Sequence, residues 1–207
     1  MDSGLVIQRA LTSSGSHGLR EYRLVIYPDA EVYSKVMAEK RRFYIKYGAD
    51  TALKCFPYIM VARFYAREGM EATLIRWIQR ICSLYNGFQL ALNNYSGFPD
   101  HTIFLRIQNP QPLTQLSQQL KAIEHYIQLP VAQQGKNIQP FYLSIATELA
   151  ADIYRKAMPA YSRKTFHACF YAQEMVLLAR DHPFAVHKTV TVFRFLPVGK
   201  QSLTEVA

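Results

Sequence analysis

The chain has 207 residues, half of them hydrophobic and 19% charged, a composition that excludes a disordered polymer and allows one large domain. Its formal charge of +9 favours anionic partners, yet Lys and Arg are spread out, with short clusters only at Lys40-Arg41-Arg42 and along Arg63, Arg67, Arg76 and Arg80. No apolar run reaches the ~20 residues that span a bilayer. Three scattered cysteines, Cys55, Cys82 and Cys169, form no CxxC pair; they suggest neither a disulfide framework nor a zinc site and read as small buried hydrophobes.

Residues 1–20 form a flexible lead-in with no apolar core of signal-peptide length, which makes the cytoplasm the simplest location. EYRLVIY (21–27) carries a strand signal, and Pro28-Asp29 then turns the chain, with Asp29 as a helix N-cap. A helix is predicted over 31–47, with Val32, Val36 and Phe43 on one stripe and Gly48 as its stop. A strand follows over 55–65 and a helix over 71–85, the latter with Leu74, Trp77, Ile78 and Ile81 on one face. Extended segments over 88–95 and 101–107 are separated by SGFPD.

The pattern then restarts. Leu113, Leu116, Leu120, Ile123 and Ile127 predict an amphipathic helix over 112–127, and a loop rich in Gln, Gly and Lys covers 131–138. A strand over 140–146, a helix over 147–157, a bent or bulged strand over 165–180 and a strand over 187–196 follow, with 197–207 as a tail. The order helix, tyrosine-bearing strand, helix, two strands occurs twice, and PYIMVARF aligns with FYLSIATE. This predicts a single bilobal α+β domain over 21–196. Its two pseudo-repeated lobes, around 55–107 and 140–196, are mainly antiparallel sheets with helices outside and a cleft between them.

Four stretches, PYIMVARF, FQLALNNYSGFPDHTIFLRI, FYLSIAT and AQEMVLLARDHPFAVHKTVTVFRF, carry a resemblance to the two-histidine phosphoesterase superfamily. That group includes the 2'-5' RNA ligase-like proteins and cyclic nucleotide phosphodiesterases. The resemblance spans about residues 21–196 and rests on the order and spacing of the stretches. It implies two adjacent strands, each offering a histidine and, two residues on, a Thr or Ser on the same face. One histidine would act as general base and the other as general acid on a cyclic or 2'-5' phosphodiester, because imidazole titrates near the operating pH.

This chain departs from that pattern at three of the four positions. Tyr58 and Tyr142 stand where the histidines are expected, Met60 stands at the first hydroxyl, and only Ser144 keeps the expected type. A phenol titrates about 3.5 units above imidazole, so tyrosine donates a proton but is a poor base near neutrality. Met60 offers phosphate no strong hydrogen bond. The site expected from these residues is Tyr58, Met60, Tyr142, Ser144 and Arg63, although strand alternation sets Arg63, five positions after Tyr58, on the opposite face unless a bulge intervenes.

The six histidines, His17, His101, His125, His167, His182 and His187, lie in no comparable motif, and no Gly-rich phosphate loop or metal-ligand spacing appears. The leading expectation is a protein without the usual phosphodiesterase activity that keeps a basic cleft for a nucleotide, an RNA end or another phosphate ester. It needs no cofactor, metal or membrane, and its oligomeric state is left open. Two alternatives remain: a hydrolase or ligase of cyclic or 2'-linked phosphodiesters that uses the tyrosines, and a structural or protein-interaction module whose rings fill the cleft.

Overall fold

The computed structural model describes residues 18–126 and 140–197. Along the chain lie β1 (Leu19–Ile26), α1 (Ala30–Tyr47), α2 (Thr51–Lys54), β2 (Ile59–Arg67), α3 (Glu71–Cys82), β3 (Phe88–Phe98) and β4 (Thr102–Ile107). Then follow α4 (Gln111–Leu120), β5 (Tyr142–Ala146), α5 (Ala151–Tyr161), β6 (His167–Ala172), β7 (Glu174–Arg180) and β8 (Lys188–Arg194).

All eight strands form one sheet in the order β6-β3-β4-β5-β2-β1-β7-β8, and every pairing is antiparallel. The sheet curls. Just before β3, Asn86 bridges Leu196 beyond β8, and the Gly87 N–H donates to the Leu196 carbonyl at 2.9 Å. Each half of the sheet takes strands from early and late parts of the chain. β6, β3, β4 and β5 form one half and β2, β1, β7 and β8 the other. The halves join where Ile59 of β2 pairs with Leu143 of β5. The fold is α+β, as the alternation of periods predicts.

One face of this sheet carries the core: Tyr22, Leu24 and Ile26 of β1, Ile59 and Phe64 of β2, Leu90 and Leu92 of β3, and Leu143 and Ile145 of β5 are all buried there. The helices cover that face through apolar stripes, Val32, Val36 and Phe43 on α1, Leu74, Ile78 and Ile81 on α3, and Leu113, Leu116 and Leu120 on α4. Asp29 caps α1 as expected, its carboxylate accepting from the Val32 N–H at 2.9 Å, and Gly48 ends it at φ +70°. The opposite face of the sheet holds the polar residues of the cleft.

Several expectations need correction. Residues 51–54 form a helical turn, so β2 starts at Ile59 and Tyr58 lies just before it. β1 opens at Leu19, two residues earlier than read. α3 stops at Cys82. β3 runs on through Gly97 to Phe98, because a bare glycine there admits α5: a Cβ would collide with the Tyr154 hydroxyl and lie 3.0 Å from the Met158 sulfur. The helix after β4 is α-helical only to Leu120 and tightens to a 3-10 turn over Lys121–Tyr126. α5 begins at Ala151 and not at 147, since Glu148 sits in the left-handed region at φ +53°. The single bent strand over 165–180 is two strands, β6 and β7, in different halves of the sheet. The loop at 131–138, and most of the lead-in and tail, lie outside the described residues.

Two residue types are placed against expectation. Lys40, the first residue of the basic cluster Lys40-Arg41-Arg42, has no exposed area at all. Only Cys82 of the three cysteines is buried, and burial pushes its thiol up to about 12; Cys55 is half-buried and Cys169 exposed. No helix among the described residues is long and apolar enough to cross a membrane.

Candidate functional site

The tyrosine-bearing strands lie side by side at the centre of the sheet. Ile59 pairs with Leu143, and the same antiparallel register, continued by one residue on either side, sets Tyr58 opposite Ser144 and Met60 opposite Tyr142. Each strand then carries a bulge three residues after its tyrosine. Leu24 pairs with Ala62 but Val25 with Met60, which leaves Val61 as the extra residue of β2. Ile103 pairs with Ala146 but Phe104 with Ser144, which leaves Ile145 as the extra residue of β5. A bulge of this kind reverses the alternation beyond it. The core side of β2 therefore passes from Ile59 and Val61 to Phe64 and Ala66. Arg63 turns into the cleft as a result, against plain alternation and through the exception the spacing allowed. The same device turns Thr147 in from β5.

A cavity of about 240 Å³ opens over the join, and its lining includes Tyr58, Met60, Arg63, Tyr142 and Ser144. The structure thus brings together all five residues expected from the sequence. It adds Arg23, Cys55, Pro140, Phe141, Thr147 and Glu148. Arg23 and Thr147 had usable signals: Arg23 alternates with the core residues Tyr22 and Leu24, and Thr147 aligns with Arg63 in the internal repeat.

The two tyrosines sit in different surroundings. Tyr58 accepts a hydrogen bond from Arg23 Nη1 at 3.0 Å, and its ring meets Tyr27 edge-on at 5.9 Å. Tyr142 is held by Phe98 at 5.2 Å and Phe104 at 4.8 Å. Burial raises the pKa of its phenol, the neighbouring Cys55 and Tyr58 add to the rise, and Arg23 opposes it. Tyr142 is therefore a neutral hydrogen-bond donor around pH 7. Ser144 is buried, and its hydroxyl donates to the Cys55 sulfur at 3.7 Å, a weak acceptor that leaves the oxygen lone pairs uncommitted.

Next to the cavity on the β1 side lies a knot of charge around Glu21. Arg23 Nε donates to its carboxylate at 2.7 Å and Arg180 Nε at 2.9 Å, and Arg63 Nε stands at 3.3 Å. His187 Nε2 lies 3.7 Å away with no hydrogen-bond partner among the described residues. Burial alone would raise the Glu21 carboxyl, but the His187 imidazole and the guanidinium groups of Arg23, Arg180 and Arg63 together hold it well below the usual carboxylate range. On the β5 side the lining carries Glu148, so the cavity is cationic at one end only.

His101, His167, His182 and His187 do not line the cavity. His101 Nδ1 meets the Thr102 hydroxyl at 2.6 Å, His182 lines a separate cavity by Arg20 and Glu71, and His167 is exposed on β6. His17 lies outside the described residues. Among the described residues no cluster of His, Cys, Asp and Glu has the make-up of a metal site.

Comparison with known proteins agrees with this architecture. No curated protein matches the chain. Among solved structures, E. coli LigT complexed with 3'-AMP superposes with a TM-score of 0.63 at 14% identity, covering 86% of this chain and 98% of that one. E. coli LigT complexed with ATP gives 0.58 at 14% identity, covering 86% and 98%. TT0787 of Thermus thermophilus gives 0.59 at 13% identity, covering 84% and 97%. At such identities these likenesses speak for the fold. The family itself comes from a sequence model, that of the 2'-5' RNA ligase superfamily, which matches residues 32–183. On that match, from α1 through both tyrosine-bearing strands to the end of β7, the chain belongs to the 2'-5' RNA ligase superfamily.

Proposed function

We propose that the cleft binds the phosphate of a nucleotide, an RNA end or another phosphate ester, and that it does so without the phosphodiester chemistry of two paired histidines. One observation carries this reading: Tyr58 and Tyr142, the residues at the two expected histidine positions, meet in a single cavity with Ser144 and Arg63. These groups supply hydroxyl and guanidinium donors suited to phosphate oxygens. They supply no side chain tuned to take up a proton near neutrality, since burial keeps the Tyr142 phenol protonated.

The neighbouring structures add a ligand class. E. coli LigT has been crystallised with 3'-AMP, with ATP and with NADP+, all of which carry phosphate on a nucleotide. By likeness of fold, a nucleotide phosphate is the first ligand to try here. Its phosphate would lie against Ser144 and the two phenols, and its base or sugar would find aromatic surface at Phe141 and Tyr142.

The test is calorimetric titration with adenosine 3'-monophosphate at low ionic strength, on the wild type and on Tyr142→Phe and Ser144→Ala. Saturable binding that weakens by roughly tenfold to a hundredfold in each variant is expected, the worth of one hydrogen bond to a charged group. The reading fails if wild type shows no heat of binding, or if both variants bind as wild type does.

A further inference from the structure

The geometry points to a second anion subsite beside the first, formed by Arg23 and Arg63, so that the cleft is built for a phosphate ester carrying two phosphoryl groups, such as a nucleoside bisphosphate. This rests on the reading of the cleft as a phosphate-ester site and specifies which esters it prefers.

Arg23 and Arg63 are direct partners across the β1–β2 ladder. Like charges placed directly opposite each other on adjacent strands repel. Both side chains are partly withdrawn from water, at 19% and 37% exposure, so solvent screens that repulsion incompletely. Among the described residues both pair with Glu21 alone, and it also serves Arg180. Three guanidinium groups on one carboxylate leave the group cationic, a condition that an anion in the cleft would relieve.

The guanidinium groups are also aimed. Glu21 takes Nε of Arg23 and the Tyr58 hydroxyl takes Nη1, so the planar fork is fixed with donors left over. Arg63 Nη2 donates to the Tyr65 hydroxyl at 2.6 Å, and its buried Nε faces the Glu21 carboxylate at 3.3 Å with no hydrogen bond among the described residues. Forks fixed in this way suit bidentate contact with phosphate oxygens. Tyr58 lies between this pair and Ser144, and Glu148 at the other end disfavours a second anion there. A two-phosphate ligand therefore has one orientation: one phosphoryl group by Ser144 and Tyr142, the other towards β1.

The experiment compares adenosine 3',5'-bisphosphate with adenosine 3'-monophosphate and adenosine 5'-monophosphate by calorimetry at one low ionic strength. The bisphosphate is expected to bind roughly tenfold or more tighter than the better monophosphate. That ratio should fall close to one in Arg63→Gln, fall part-way in Arg63→Lys, and survive in Arg67→Gln, which removes the same charge from an exposed position on the same strand. A ratio near one in wild type overturns the second subsite alone. So does a ratio that survives Arg63→Gln, or one that drops equally in Arg67→Gln. If none of the three nucleotides binds, both this inference and the reading beneath it fall.

Discussion

Lys40 reaches from α1 to the bulge of β5: its buried ammonium donates to the carbonyl of Ile145 at 3.0 Å and to that of Ala52 at 3.1 Å. Ile145 is the extra residue that turns Thr147 into the cleft, so a buried cation props the strand that carries Tyr142 and Ser144. Burial pushes the ammonium down to about 8 from an ordinary 10.5, only weakly opposed by the nearby Cys55. Between those values the unfolded chain holds the extra proton, so stability should rise with pH from about 8 to 10.5, by on the order of 3 kcal/mol. The buried Cys82 thiol acts with the opposite sign above its ordinary value of 9. Urea unfolding of wild type and Lys40→Met, taken across that range, cancels the thiol and isolates the lysine. The difference between the two curves should grow with pH in favour of wild type; parallel curves would contradict the assignment.

Glu21 sets the opposite limit. Its carboxyl is held low in the folded state, so its contribution is present above its ordinary value of 4.5 and is lost as pH falls. Glu21→Gln removes the one carboxylate shared by Arg23, Arg63 and Arg180, and should cost about 3–5 kcal/mol at pH 7, the price of breaking a buried ion pair. It should also flatten the acid side of the stability profile. Thermal unfolding between neutral and acid pH measures both effects, and a variant as stable as wild type would show that the knot is not what holds the three arginines.

What could be read in advance was whatever the local chain dictates. Asp29 and Gly48 bracket α1 because capping is a matter of a few neighbouring residues. The placement of Tyr58 and Tyr142 in one cavity followed from the alignment of PYIMVARF with FYLSIATE. Arg63 was harder, since its direction depends on Val61 having no partner on β1, a fact of cross-strand register. The burial of Lys40 was not legible, because a run of three basic residues on a helix gives no sign that the first faces inward. Alternation with Tyr22 and Leu24 gives the face of Arg23, but nothing local says that β1 lies between β2 and β7, so the knot around Glu21 was not legible.

Restoring the expected residues should restore chemistry. Tyr58→His, Met60→Thr and Tyr142→His together would set two imidazoles and two hydroxyls in the cavity that now holds two phenols, a thioether and Ser144. Hydrolysis of adenosine 2',3'-cyclic phosphate should then exceed the wild-type background on the order of a hundredfold, the usual scale of general acid–base catalysis. A folded triple variant with no gain would mean that the backbone no longer places these positions for catalysis.

The most direct test of the central claim, a phosphate-ester site without turnover, is the phosphorus NMR spectrum of adenosine 2',3'-cyclic phosphate titrated with the wild-type protein. The cyclic phosphate resonance should shift or broaden saturably, with no phosphomonoester signal growing in over hours. A resonance unmoved by excess protein, or a monoester line that grows with time, would contradict it.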